Sequence, residues 1–322
     1  MTHHPRSNVQ RSERRSTDVA LIQEVLRGLR STPKQLSPTY LYDQRGSELF
    51  EQICAVPEYY VTRTETQILE DNAAQIADRI PDDALLVELG SGASTKTRLL
   101  LERLPSLAAY VPVDISRSHL LDAARRVATC YPNLEVLPVC ADFTQTFTLP
   151  RPSRKPSRVV VFFPGSTIGN FDPPEAIDLL RTMREIAGRD GGLLIGYDLV
   201  KDTDTLRRAY NDAAGVTAAF NLNVLARLNR ELGANFELTA FRHEAVWLEW
   251  AHRIEMHLVS TCDQDVTIAG ESLSFATSER LVTEHCHKYS PESFATLAAA
   301  AGWNAAQTWT DPMGYFNVQY LE

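Results

Sequence analysis

Two glycines behind a carboxylate pose the first chemical question. In the stretch from Leu85 to Thr97, LLVELGSGASTKT, an apolar run carrying Glu88 turns through Gly90 and Gly92 and enters a helix at Ser94 and Thr95. Glycines at a strand-to-helix turn let the backbone bend sharply and lie close to a ligand. A dinucleotide loop reads G-x-G-x-x-G, and here Thr95 stands in the third glycine position. That is a poor fit to a pyrophosphate on the helix N-terminus, so a nicotinamide oxidoreductase is disfavoured.

The spacing Glu88-x-Gly90-x-Gly92 is similar to that of methyltransferases that use S-adenosylmethionine, and later residues fit the same ligand. Asp114 ends the next apolar run, YVPVD, where a carboxylate can accept from both ribose hydroxyls. Asp142 and Phe143 end the third, PVCADF, where an acid can accept from an adenine amine and a ring can cover the base. After the fourth run comes FFPGSTIGN. Gly165 and Gly169 permit close approach there, and Asn170 offers a donor and an acceptor to something small and polar.

A second group lies late in the chain, in RLVTEHCHKYS. Read as a strand, it puts Glu284 and Cys286 on one face and His285 and His287 on the other. No third ligand lies near the two histidines in sequence, so no metal is expected. Nor can a basic partner be placed beside Cys286, which argues against a nucleophile. Early in the chain Tyr40, Tyr42, Tyr59 and Tyr60 flank a short helix expected from a Ser47 cap to Ile53, and one or two of them are expected to face a ligand.

These residues need a scaffold. Apolar periodicity predicts strands over 85–89, 109–114, 134–140, 158–163 and 192–198, alternating with helices over 95–104, 117–129 and 173–188. Alternation of that kind builds a parallel sheet with right-handed crossovers. Helices are also expected from Asp18 to Leu29 and from Thr64 to Ile80. From Lys201 the pattern changes to a helical stretch and then antiparallel strands, as in a second lobe. The chain closes with a helix capped by Ser290 and two strands around an Asp311-Pro312 turn.

Composition narrows the classes. The chain has 322 residues, 44% of them hydrophobic, and a formal charge of −9. Scattered basic residues and net acidity argue against a nucleic-acid partner, and the basic cluster from Arg6 to Arg15 reads as a disordered tail over 1–16. No apolar run reaches membrane-spanning length and no signal-peptide centre is visible, so a cytoplasmic monomer is expected. Five cysteines without C-x-x-C form neither a disulfide framework nor a cysteine zinc site.

The segments LYDQRGSELFEQI, PEYYVTRTE, LVELGSGASTKTR, GSTIGN, DLVKDTDTLRRAYNDAAGVTAAFN, RIEMHL and TEHCHK carry a more specific likeness. From about Asp18 onward the chain resembles the L-histidine Nα-methyltransferases of ergothioneine biosynthesis, which make hercynine. The resemblance implies an α/β, class I Rossmann-like methyltransferase sheet with helices on both faces, over 64–200 and 288–322. It also implies a second α+β domain, over 17–63 and 201–287, that holds the amino acid. Carried over by motif, Gly90, Lys96, Asp114, Asp142 and Phe143 would contact S-adenosylmethionine, beside Gly92. Tyr59, Asn170 and Tyr210 would hold the amine and carboxylate of histidine. Tyr42, Met256, Glu284 and Cys286 would surround the imidazole, near Gly165. Tyr59 and Asn170 would orient the amine at the point of transfer, with no general base assigned. One position departs from the pattern: a serine is expected two residues after the glutamate, and Cys286 is a poorer donor. The same chemistry on another aromatic amino acid, such as tryptophan, is the alternative.

Overall fold

A computed structural model describes residues 21–92 and 94–322, without the side chain of Thr95. The expected tail over 1–16, its basic cluster and the start of the helix expected from Asp18 lie outside the described residues.

The chain opens with helix α1, covering 21–29, and a short strand β1 (Lys34–Gln35). Helices α2 (Gln44–Ala55), α3 (Tyr60–Asp71) and α4 (Ala73–Ala77) follow. Then strands and helices alternate: β2 (Leu85–Leu89), α5 (Thr95–Leu101), β3 (Ala109–Asp114), α6 (Arg117–Cys130), β4 (Val139–Cys140), β5 (Val159–Phe163), α7 (Pro173–Ala187) and β6 (Gly192–Asp198). After α8 (Thr203–Ala209) and α9 (Val216–Leu232) come β7 (Phe241–Leu248), β8 (Arg253–Ser260), β9 (Gln264–Ile268), β10 (Glu271–Phe275) and β11 (Arg280–His287). The chain ends with α10 (Pro291–Ala300), β12 (Ala305–Thr310) and β13 (Phe316–Leu321).

Seven strands form the main sheet in the order β12-β13-β6-β5-β2-β3-β4. Pairs among β2 to β6 are parallel, while β13 runs antiparallel to β6 and β12. This is the α/β class I methyltransferase sheet. Its strands are apolar on both faces because both faces are covered. In β2, Leu86 enters the core shared with α3 and the second lobe, whereas Leu85, Val87 and Leu89 enter the core beneath α7 and α10. The apolar cluster on the Leu86 side continues without a break to Leu258, Phe275 and Leu281.

The second sheet has the order β1-β11-β8-β7, with β7, β8 and β11 antiparallel and β1 parallel to β11. A segment from before the main sheet thus shares one structure with the stretch inserted between β6 and β12. A bulge interrupts β11 against β8 between Val282 and Glu284. The β9–β10 hairpin is separate.

Four local expectations need correction. The helix expected from Thr64 to Ile80 is two helices, broken where Asn72 takes non-helical torsions and donates its amide to the Ile68 carbonyl. The cap of α2 is Asp43, which accepts the Gly46 N–H at 2.7 Å, and Ser47 lies inside the helix. Gly46 is required there because a Cβ would come 1.7 Å from the Leu41 carbonyl oxygen. The strand expected over 134–140 shrinks to Val139–Cys140 plus a bridge from Val136 to Tyr110, since this edge segment is only partly buried. The helix expected over 95–104 ends at Leu101.

Candidate active site

The carboxyl ends of β2, β3, β4 and β5 gather the first group of residues, as open parallel sheets do. Gly90 and Gly92 both have positive φ, +69° and +48°, so the loop is one that side chains would strain. Nothing within 4 Å would meet a Cβ at Gly92, which leaves room in front of the loop. The Gly92 N–H donates to Asp114 at 3.0 Å, and the Ser116 N–H donates to its other oxygen at 2.8 Å. The Phe143 ring lies beside Gly90, 3.5 Å from where its Cβ would be, and meets Phe163 and Phe171 edge-on. Asp142 accepts from the backbone and hydroxyl of Thr144. An open glycine turn, a ring beside it and two carboxylates with spare lone pairs suit an adenosine-bearing ligand.

Beneath the loop, buried Glu88 accepts from the Tyr110 hydroxyl. Burial pushes its carboxyl pKa up to about 7, against the hydrogen bonds that favour the ionised form. Lys96 is turned toward the loop after β5: its ammonium pairs with Glu65, and that carboxylate also accepts the Gly165 N–H at 2.9 and 3.0 Å. Sequence reasoning missed Glu65, because a single acid in an amphipathic helix looks like a solvated residue until the fold buries it.

The loop from Pro164 to Asn170 joins this region to the second group. Gly169 lies so close to β11 that a Cβ would be 2.6 Å from the His287 carbonyl and 2.9 Å from the Cys286 sulfur. Asn170 therefore reaches across, donating from Nδ2 to Glu284 at 3.3 Å. The Tyr42 hydroxyl is 3.5 Å from the same carboxylate oxygen. Met256 is the cross-strand partner of Glu284 on β8. Burial lifts the Glu284 pKa to about 7, with Lys288 and the Tyr42 hydrogen bond pulling it down. Tyr42 packs edge-on against Phe50 and Phe220, and Tyr59 against Phe50 and Tyr210. Tyr42, Tyr59, Asn170, Tyr210, Met256, Glu284 and Cys286 thus converge from six separate elements and loops, while Gly165 lies at the other end of its loop against Lys96 and Glu65.

Behind them lies a charged network that the sequence did not reveal. Lys288 is buried and donates to the Tyr210 hydroxyl at 2.9 Å, pairs with Asp198 at 2.8 Å, and lies 3.3 Å from the Cys286 sulfur. A basic group does stand beside Cys286, contrary to expectation. Asp198, at the end of β6, also accepts from Tyr60 and Lys201 at 2.7 and 2.6 Å. Burial alone would raise the Asp198 pKa, but Lys288 and Lys201 outweigh it and hold the carboxyl below its ordinary value. The signal for Lys288 was adjacency to TEHCH, but its burial depends on α8 and β6 closing over it.

A family model for histidine-specific, S-adenosylmethionine-dependent methyltransferases matches residues 21–322. The chain belongs to this family. It is 45% identical over 305 residues to the histidine N-alpha-methyltransferase of Mycolicibacterium smegmatis, covering 93% of this chain and 94% of that one. Identity to the histidine N-alpha-methyltransferase of Mycobacterium tuberculosis is 43%, over 93% and 94% of the two chains. Ergothioneine biosynthesis protein 1 of Neurospora crassa is 32% identical over 86% of this chain, which spans only 32% of that longer protein. This methyltransferase therefore takes S-adenosylmethionine as its methyl donor. Among the described residues, no helix is long and apolar enough to cross a membrane.

Proposed function

We propose that this methyltransferase transfers three methyl groups to the α-amine of free L-histidine, giving hercynine, as a step toward ergothioneine. The observation that carries the reading is the buried Glu284 carboxylate, met by Tyr42 and Asn170 at one end of the loop whose other end meets Lys96 through Glu65. A carboxylate in a tyrosine-lined site suits an imidazole N–H. Apolar amino acids would offer it no donor in place of the Asn170 amide that a bound side chain must part, a basis for rejection.

Bound S-adenosylmethionine supplies a sulfonium methyl open to in-line displacement by an amine lone pair. Gly90, Gly92 and Phe143 would shape its site, Asp114 and Asp142 would accept from ribose and adenine, and Lys96 would pair with its carboxylate. For that last contact Lys96 must share or leave Glu65, which the Gly165 N–H continues to hold. Tyr59, Tyr210 and Asn170 would orient the histidine amine and carboxylate, so that most of the acceleration comes from positioning. Histidine must part the Asn170–Glu284 contact, its imidazole N–H replacing the amide donor. Met256 and Cys286 would flank the ring. The four-stranded sheet with its helices would then be the amino-acid lobe, over 17–63 and 201–287.

The test is incubation of the protein with S-adenosylmethionine and a panel of free amino acids, followed by mass spectrometry. A gain of three methyl groups on histidine is expected. Methylation of tryptophan with none on histidine would overturn the substrate assignment and favour the aromatic alternative.

A further inference from the structure

Strand β11 turns two imidazoles away from Glu284 and Cys286, and the fold brings them a carboxylate from a distant part of the chain. Asp172, which opens α7 just after the Asn170 loop, places Oδ1 3.1 Å from His287 Nε2 and 3.6 Å from His285 Nε2. The three ligand atoms all lie within 4.8 Å of one another. The third ligand missing from the sequence is therefore present in space.

With neutral imidazoles the proton inventory of this cluster does not close. His287 Nδ1 lies 3.2 Å from the Ala251 carbonyl, while Nε2 faces the carboxylate. Both neighbours only accept, and a neutral imidazole has one N–H to give. In that form one ring nitrogen points a lone pair at an oxygen, a gap that either a proton on His287 or a bound cation fills, and only the cation also engages His285. If the Ala251 carbonyl takes the Nδ1 proton, the exposed lone pair is on Nε2, toward Asp172 and His285. In turn, His285 Nε2 is buried without a hydrogen-bond partner. A backbone carbonyl that fixes the tautomer of a histidine ligand is a common outer-shell feature of metal sites. At metal–ligand bonds of about 2.0–2.2 Å, tetrahedral donors lie roughly 3.3–3.6 Å apart, close to the two carboxylate–imidazole separations, 3.1 and 3.6 Å.

We propose that Asp172, His285 and His287 bind one divalent transition-metal ion of the zinc type, with the Ala251 carbonyl orienting His287. Arg253 also donates to Asp172 Oδ1, at 2.8 Å, and is itself paired with Glu255. Binding of the ion through Oδ1 would displace Arg253, which Glu255 still holds, and half-exposure of Asp172 gives the ion a way in. The site would be structural. It would clamp the start of α7, two residues beyond Asn170, to the strand that carries Glu284, and would take no part in methyl transfer.

The test uses the full chain, stripped with a chelator and kept free of histidine, which itself binds metals. Titration with Co²⁺ should give visible d–d absorption that saturates at one equivalent and is displaced by Zn²⁺, and Zn²⁺ should raise the thermal unfolding midpoint. Asp172→Asn, His285→Ala and His287→Ala should each weaken Co²⁺ binding at least tenfold while retaining S-adenosylmethionine binding. His3→Ala with His4→Ala, the other close histidine pair in the sequence, should change nothing. Absence of saturation below millimolar Co²⁺, or binding lost only in the His3/His4 variant, would overturn the proposal. If a ligand variant fails to fold, anomalous scattering from zinc-soaked crystals of the parent decides: a peak among the three side chains supports the site, and peaks only elsewhere refute it.

Discussion

Replacing Glu88 by Gln should change the pH dependence of stability in a way that burial alone dictates. The Glu88 side chain is 1% exposed and its carboxyl pKa is pushed to about 7, from an ordinary value of 4.5. Because the folded pKa is the higher one, the unfolded chain releases its proton first as pH rises. The stabilising contribution of the protonated group is complete below about pH 4, fades from there upward, and is gone once pH passes through 7. At about 1.4 kcal/mol per pKa unit, the ionised carboxylate costs about 3 kcal/mol above pH 8 relative to its protonated form. Glutamine cannot ionise, and its carbonyl can still accept from the Tyr110 hydroxyl. Any offset from its amide is independent of pH. The assay is urea unfolding of parent and variant from pH 5 to 8.5, without cofactor. The stability difference should move in favour of Glu88→Gln by about 2–3 kcal/mol across that range. A difference that stays flat would show that Glu88 titrates at its ordinary value and would refute the reasoning.

Other substitutions probe separate parts of the site. Glu284→Ala should raise the KM for histidine at least tenfold and relax discrimination against other aromatic amino acids, seen as competition kinetics with tryptophan; unchanged preference would remove Glu284 from imidazole recognition. Gly169→Ala forces a Cβ to within 2.6 Å of the His287 carbonyl, so the loop must retreat from β11. About 1–3 kcal/mol of stability should be lost in urea unfolding, and kcat/KM should fall with it because Asn170 moves too. Asp43→Ala removes the α2 cap and the acceptor for Asn223 and Arg230, and should lower stability by about 1–2 kcal/mol with little change in cofactor affinity by calorimetry.

Much of the fold was legible because its signals are local. Strands β2, β3, β5 and β6 are short apolar runs bounded by turn residues, and their alternation with helices leaves little choice of architecture. The Gly90-x-Gly92 turn was recognisable because its geometry is imposed by two adjacent residue types. Where the reading failed, the deciding interaction came from elsewhere in the chain or from a competing local cap. Ser47 looked like a cap, but Asp43 has the carboxylate that reaches Gly46, and Gly46 is held against Leu41. The break at Asn72 interrupts a continuous helical pattern through one side-chain bond to Ile68.

By itself the sequence determined a Rossmann-like methyltransferase sheet with an antiparallel addition, and the residues that could serve it. It could not determine which of those residues meet. Glu65 under Lys96 and Gly165, Lys288 between Asp198 and Tyr210, and Asp172 beside His285 and His287 are all pairings across long sequence separations. The physical reason is that a buried charge must find a partner wherever folding brings one, and period and composition carry no record of that partner. The second sheet packing against the Gly169 turn therefore decides what the glycine loop alone left open: how a cofactor-binding edge faces a site with the donors and acceptors for an amino acid.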